Sequence, residues 1–209
     1  MNKSKFNYKV YNGKSFKKIF ENSRMLILSL IFLTGIIAGA VILNKDNEVT
    51  EKITDYFNNG ILLKSGQGMT EIFVNSVISS GIFIAVNVFF AFSLIGYPFI
   101  LLIPFLKGLG VGAVCGYLYL KYGLTGFGYC VLTVFPGATV STFSLISSCN
   151  SSCEYSKNAY LKSISGKGQF EKSETRFYIM KQSVFICISL ISSLIDALFN
   201  SVFLRFFEF

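Results

Sequence analysis

Residues 96–126 read GYPFILLIPFLKGLGVGAVCGYLYLKYGLTG, and the reading of this stretch decides the fold. The apolar block around it runs from Glu71 to Lys121 with Lys107 as its single ionic side chain. A membrane crossing takes roughly 20 apolar residues, so a block of this length holds two. Gly96-Tyr97-Pro98 supplies the turn between them. That boundary leaves Lys107 inside a crossing of residues 99–120, beside a ladder of Gly108, Gly112 and Gly116 that forms a flat packing face. Pro104 is expected to loosen the first half of this crossing. Gly123 to Gly126 makes the next turn, and Pro136-Gly137 is expected to break the crossing that follows, residues 127–147.

Working outward, the same pattern covers the chain. Hydrophobic residues make up 52% and charged residues 14% of the 209 positions, with 23 Phe and a mean hydropathy of +0.57. A soluble domain of this size could not hide so much apolar surface. The expected fold is an all-α integral membrane bundle of about five transmembrane helices, with crossings at 25–43, 72–94, 99–120, 127–147 and 182–204. Residues 1–24 form a basic juxtamembrane segment, and 25–209 a single membrane domain with no room for a second globular unit. Val49, Ile53, Phe57 and Ile61 recur every four residues in the polar 44–71 segment, which predicts an amphipathic surface helix. Phe16, Ile19 and Phe20 give the 1–24 segment an apolar face of its own for the membrane surface.

Orientation follows from the basic residues. Segment 1–24 holds seven and loop 148–181 six of the 19 Lys and Arg. With five crossings both fall on one side, so the N-terminus is cytoplasmic and the C-terminus outside. The formal charge of +8 is then an attraction to anionic headgroups and not a nucleic-acid footprint, because it forms no contiguous patch. Ala38-Gly39-Ala40 resembles a signal-peptidase site, but the apolar run continues through Val41-Ile42-Leu43, so the first crossing reads as an uncleaved anchor. Gly35 and Gly39 within it let another helix approach closely.

Little in the chain can do chemistry. It has no His, which removes the usual general base and the commonest metal ligand. No HExxH, GxSxG or P-loop occurs, and Gly108-Leu109-Gly110-Val111-Gly112 follows no strand. Five cysteines argue against a complete disulfide framework. Cys115, Cys130 and Cys187 read as packing thiols, while Cys149 and Cys153 share a helix face without completing a metal site. No cofactor and no small-molecule substrate are expected. Two charges break the apolar pattern, Lys107 and Asp196. Each costs about 2.5–3.5 kcal/mol near a helix centre, so they pair, snorkel to the headgroups, or line a path.

A basic segment with Phe20-Glu21-Asn22 leads into the first crossing, and a polar outer segment follows. Then come Phe105-Leu106-Lys107-Gly108-Leu109-Gly110-Val111-Gly112, the turn Tyr122-Gly123-Leu124-Thr125-Gly126, and Phe135-Pro136. In these features the chain resembles the stage II sporulation protein M family of endospore-forming bacteria over most of its length. Where family members often follow the proline with His or Gln, this chain has Gly137. The resemblance implies a non-enzymatic, multi-pass cell-membrane protein that anchors two peptidoglycan-degrading partners, stage II sporulation proteins D and P, at the septum during engulfment.

Two functional expectations result. The first is a scaffold that meets membrane lipid and partner membrane proteins through glycine faces and the outer 44–71 segment. The second is a small channel or transporter in which Lys107, Asp196, Asn87 and the Pro104 and Pro136 breaks line a path. Few polar residues in the crossings and no internal repeat weigh against the second, and a membrane component of an export machine is a further possibility.

Overall fold

A computed structural model describes residues 4–42, 69–93, 96–164 and 172–203. Within them every regular element is helical: α1 Ser4–Ile42, α2 Met69–Ala91, α3 Gly96–Tyr129, a π-helical turn Cys130–Val134, α4 Phe135–Ile164 and α5 Lys172–Phe203. The amphipathic helix expected in 44–71 falls almost wholly outside the described residues. Four stretches are long and apolar enough to cross a membrane: Ser23–Ile42, Met69–Ala91, Gly96–Lys162 and Ser173–Val202. α1 joins the basic segment to the first apolar stretch as one 39-residue helix, roughly 58 Å long at 1.5 Å per residue. That is longer than a bilayer core of roughly 30 Å, so the helix extends beyond the apolar Ser23–Ile42 stretch.

The third apolar stretch, 67 residues long, is not one rod. Gly123 has φ 60° and ψ −136°, the one non-helical residue inside α3, a conformation that glycine adopts at little cost. Beyond it the chain doubles back. Gly126 lies against the backbone of Leu118, and the Cα atoms of Cys115 and Cys130 are 5.9 Å apart, where 15 residues of straight helix would separate them by roughly 22 Å. Pro104, in contrast, is carried inside α3 without a break. The expected disruption at Pro136 takes the form of the π turn just before it, in which the Phe135 N–H bonds to Cys130 O. Pro136 has no N–H to give to the residue four back and its ring crowds that carbonyl, so the wider turn accommodates it.

α2 starts with Glu71 in its first turn, where a carboxylate suits the helix dipole. It ends in a tight turn in which Ser93 N–H bonds to Phe90 O and Gly96 N–H to Ser93 O, both at 3.1 Å. A side chain at Gly96 would run into the Phe90 backbone, so α3 begins at that glycine, and Pro98 sits in the first turn where its missing N–H costs nothing.

α1 and α3 form the closest pair. A Cβ on Gly35 would strike the backbone of Phe105, one on Gly39 that of Leu109, one on Gly108 that of Phe32 and one on Gly112 that of Ile36. Partner numbers rise together along both helices, so the two run parallel. Around this pair lie two clusters of buried side chains. One joins Leu28, Ile84, Ala91, Ile100, Ile103, Leu145, Cys149, Cys153 and Tyr178; the other joins Ala113, Tyr117, Leu118, Tyr129 and Cys130.

Gly112→Leu should therefore lower stability by about 2 kcal/mol or more through overpacking. Gly110→Leu, whose Cβ meets nothing within 4 Å, should change it by no more than about 0.5 kcal/mol. Thermal unfolding of the two variants in detergent checks the contrast.

Candidate functional site: a polar seam and an intramembrane charge

The helices α4 and α5 meet along a ladder of polar contacts. Tyr155 OH and Thr175 Oγ1 lie 3.0 Å apart, and Ser152 Oγ and Tyr178 OH 2.9 Å apart. Ser148 donates to Gln182 Oε1 at 2.6 Å, Ser144 to Phe185 O at 2.7 Å, and Ser192 to Gly137 O at 2.7 Å. Near the far end Tyr129, the last residue of α3, donates from its OH to Asn200 Oδ1 of α5 at 3.2 Å. Partner numbers fall on one helix as they rise on the other, so the pair is antiparallel. Ser144, Ser148, Ser152 and Ser156 are all 1% exposed or less. Hydroxyls this deep need partners, and small side chains let the backbones come close enough to supply them.

The ladder reaches other helices. Asn87 of α2 donates from Nδ2 to Ser148 Oγ at 2.7 Å, which gives this fully buried amide the partner that an apolar crossing denies it. Gln182 Nε2 also donates to Ser152 Oγ at 3.3 Å. Ser156 Oγ donates to Ser93 O at 3.3 Å, tying α4 to the turn after α2.

The two intramembrane charges lie toward the other half. Lys107 on α3 feels the charge of Asp196 on α5, and its ammonium stands 5.3 Å from the centre of the Phe83 ring on α2. The Asp196 carboxylate lies directly over Gly137, at a spot that a Cβ on residue 137 would occupy. Four helices thus contribute to one charged locus, and a larger residue after Pro136 would displace the carboxylate from this spot.

Of the glycines expected to form packing faces, Gly35, Gly39, Gly108 and Gly112 come together between α1 and α3, and Gly116 is half-buried in α3. Their face is filled by the chain's own α1. The cysteines depart from expectation: Cys115 and Cys130 form a disulfide across the Gly123 turn and are not simple packing thiols. Cys149, Cys153 and Cys187 are free. Among the described residues no group of three or more His, Cys, Asp and Glu gathers to hold a metal ion.

The chain's residues 28–201 match the family model described as stage II sporulation protein M. The chain belongs to the stage II sporulation protein M family. No curated protein and no solved structure matches it. Membership and the apolar helices together fit a sporulation-related membrane protein.

The serine seam escaped the sequence reading, although its signal is present. Ser141, Ser144, Ser148 and Ser152 recur at helical spacing, but the polar residues from 148 onward were expected to open a loop. α4 instead continues to Ile164.

A double-mutant cycle tests the charged locus. Gly137→Ala should destabilise the protein, and the cost should shrink by on the order of 1 kcal/mol when measured in an Asp196→Ala background, where the displaced carboxylate is gone. Equal costs in both backgrounds would remove Asp196 as the group that needs the space.

Proposed function

We propose that this stage II sporulation protein M family member is a non-enzymatic membrane scaffold. It anchors peptidoglycan-degrading partners, stage II sporulation proteins D and P, at the septal membrane during engulfment. The observation that carries this reading is where the interior polar groups go. Asn87 through Nδ2, and Ser144, Ser148, Ser152, Gln182 and Ser192, make hydrogen bonds between helices, and the glycines bring backbones into contact. Such an interior makes a rigid bundle and not a lined path.

Five crossings complete the reading, with the Gly96–Lys162 stretch crossing twice about the Gly123 turn. Parallel α1 and α3 require α2 to return between them, and antiparallel α4 and α5 carry the chain back again. The N-terminus then lies inside and the C-terminus outside. The disulfide supports that orientation, because the Gly123 turn faces the oxidising side while Cys149 and Cys153, at the other end of α4, stay reduced. Since α1 covers the glycine face, partners would be captured by the lipid-facing surfaces and by the outer 44–71 segment.

The test is affinity purification from detergent-solubilised membranes of a sporulating cell. A peptidoglycan hydrolase should co-purify with the wild type and with Gly110→Leu, and liposomes holding the protein should pass no ion or small solute. Solute flux without any co-purifying hydrolase would favour the channel reading. For orientation, an impermeant maleimide should label Lys52→Cys in intact cells and Lys157→Cys only after permeabilisation.

A further inference from the structure

Where α4 ends and α5 begins, the helices part around a cleft of about 250 Å³ lined in part by Glu154, Tyr155, Lys162, Glu174, Tyr178 and Lys181. We propose that this cleft binds a phosphoethanolamine group, a zwitterion with a primary ammonium beside a phosphate. The argument starts from charge. The lining carries two carboxylates and two ammoniums, so a simple anion would meet Glu154 and Glu174, and a simple cation would meet Lys162 and Lys181. A ligand carrying both charges satisfies both kinds of wall.

The arrangement is built and not incidental. Lys162 and Glu174 form an ion pair at 2.6 Å that bridges the two helices. Lys181 is held 4.8 Å from the centre of the Phe177 ring. Tyr155 and Tyr178 stack at 4.5 Å between centroids, and their hydroxyls are engaged by Thr175 and Ser152, which fixes a flat wall. The volume of about 250 Å³, roughly eight water molecules' share of liquid, leaves ample room for the eight heavy atoms of the group.

Position names the source of such a group. In the five-crossing reading the crossings stop at residue 147 and resume at 182, so the Glu154 and Lys181 end of the cleft lies next to the headgroups. Tyr160, Leu161, Phe177 and Met180 around it are each half or more exposed, a rim suited to acyl chains and not to water. The assignment rests on α4 and α5 crossing the membrane; in the orientation proposed above the lipid comes from the cytoplasmic leaflet.

The experiment is native mass spectrometry of the purified full-length chain in detergent, titrated with phosphatidylethanolamine, phosphatidylglycerol, phosphatidylcholine or soluble phosphoethanolamine. Phosphatidylethanolamine should bind about five-fold tighter than the other two lipids, the worth of one partly exposed charge pair. Phosphatidylcholine, with no ammonium N–H to give a carboxylate, should lose that advantage. Glu154→Gln and Lys181→Gln should each abolish the preference while melting normally without added lipid; Lys157→Gln, outside the cleft, should keep it. Competition by soluble phosphoethanolamine would show that the headgroup is what is recognised, and binding of the soluble molecule alone would overturn the lipid as source. Equal binding of all three lipids, or an intact preference in both cleft variants, would overturn the site. The readout needs no hydrolase partner, so its failure is separate from failure of the scaffold reading.

Discussion

The rest of the bundle depends on the backbone contact between α1 and α3. Inside a bilayer two apolar helices gain nothing by hiding from lipid, because lipid tails are as apolar as leucine. Only close approach, with its dense van der Waals contact, favours protein over lipid as a neighbour. Gly35 and Gly39 facing Phe105 and Leu109, and Gly108 and Gly112 facing Phe32 and Ile36, provide that approach from both sides. Because the two helices run parallel, the chain between them must return to the end where α1 begins before α3 can start. The position of α2 is therefore a consequence of the glycine contact. So is the tight turn at Ser93 and Gly96, which must close within a few residues to start α3 at the right depth.

The other half of the molecule is held by different chemistry. α4 and α5 replace glycines with serines, and each serine adds a directed bond to the close approach it permits. Such bonds average about 0.6 kcal/mol each within a membrane, so no single one holds the pair. Their value lies in register. Sliding α5 past α4 by one residue would break the bonds made by Ser144, Ser148 and Ser192 together and leave buried hydroxyls unsatisfied. Asn87 extends the same register to α2, and Ser156 ties α4 to the turn after it, so the serine-held pair is keyed to α2 as well.

Much of this was legible from composition, because twenty apolar residues in a row admit few structures. The glycine spacing in α1 and in α3 was also visible, but not that the two sets face each other, since spacing fixes a face and leaves its neighbour open. The break points misled for a physical reason. Proline removes one hydrogen bond, which a helix held by its neighbours absorbs, as at Pro104, or relieves by widening a turn, as before Pro136. Glycine with a positive φ reverses the chain outright, as at Gly123. Serine was the least legible residue: its propensity points to loops and caps, and only a partner helix one loop later turns Ser148 and Ser152 into packing groups.

Lys107 brings these strands together. A buried charge left uncompensated is costly, so a bundle that admits Lys107 is penalised in any arrangement that takes α3 out of reach of the Asp196 charge on α5. The Phe83 ring adds an attraction from α2, and Gly137 supplies the space that lets the carboxylate stand where a side chain at 137 would be. The small residue after Pro136 and the acidic residue on α5 are thus two parts of one fit. A charge so placed discriminates against wrong helix pairings, and it needs no reaction to account for its presence.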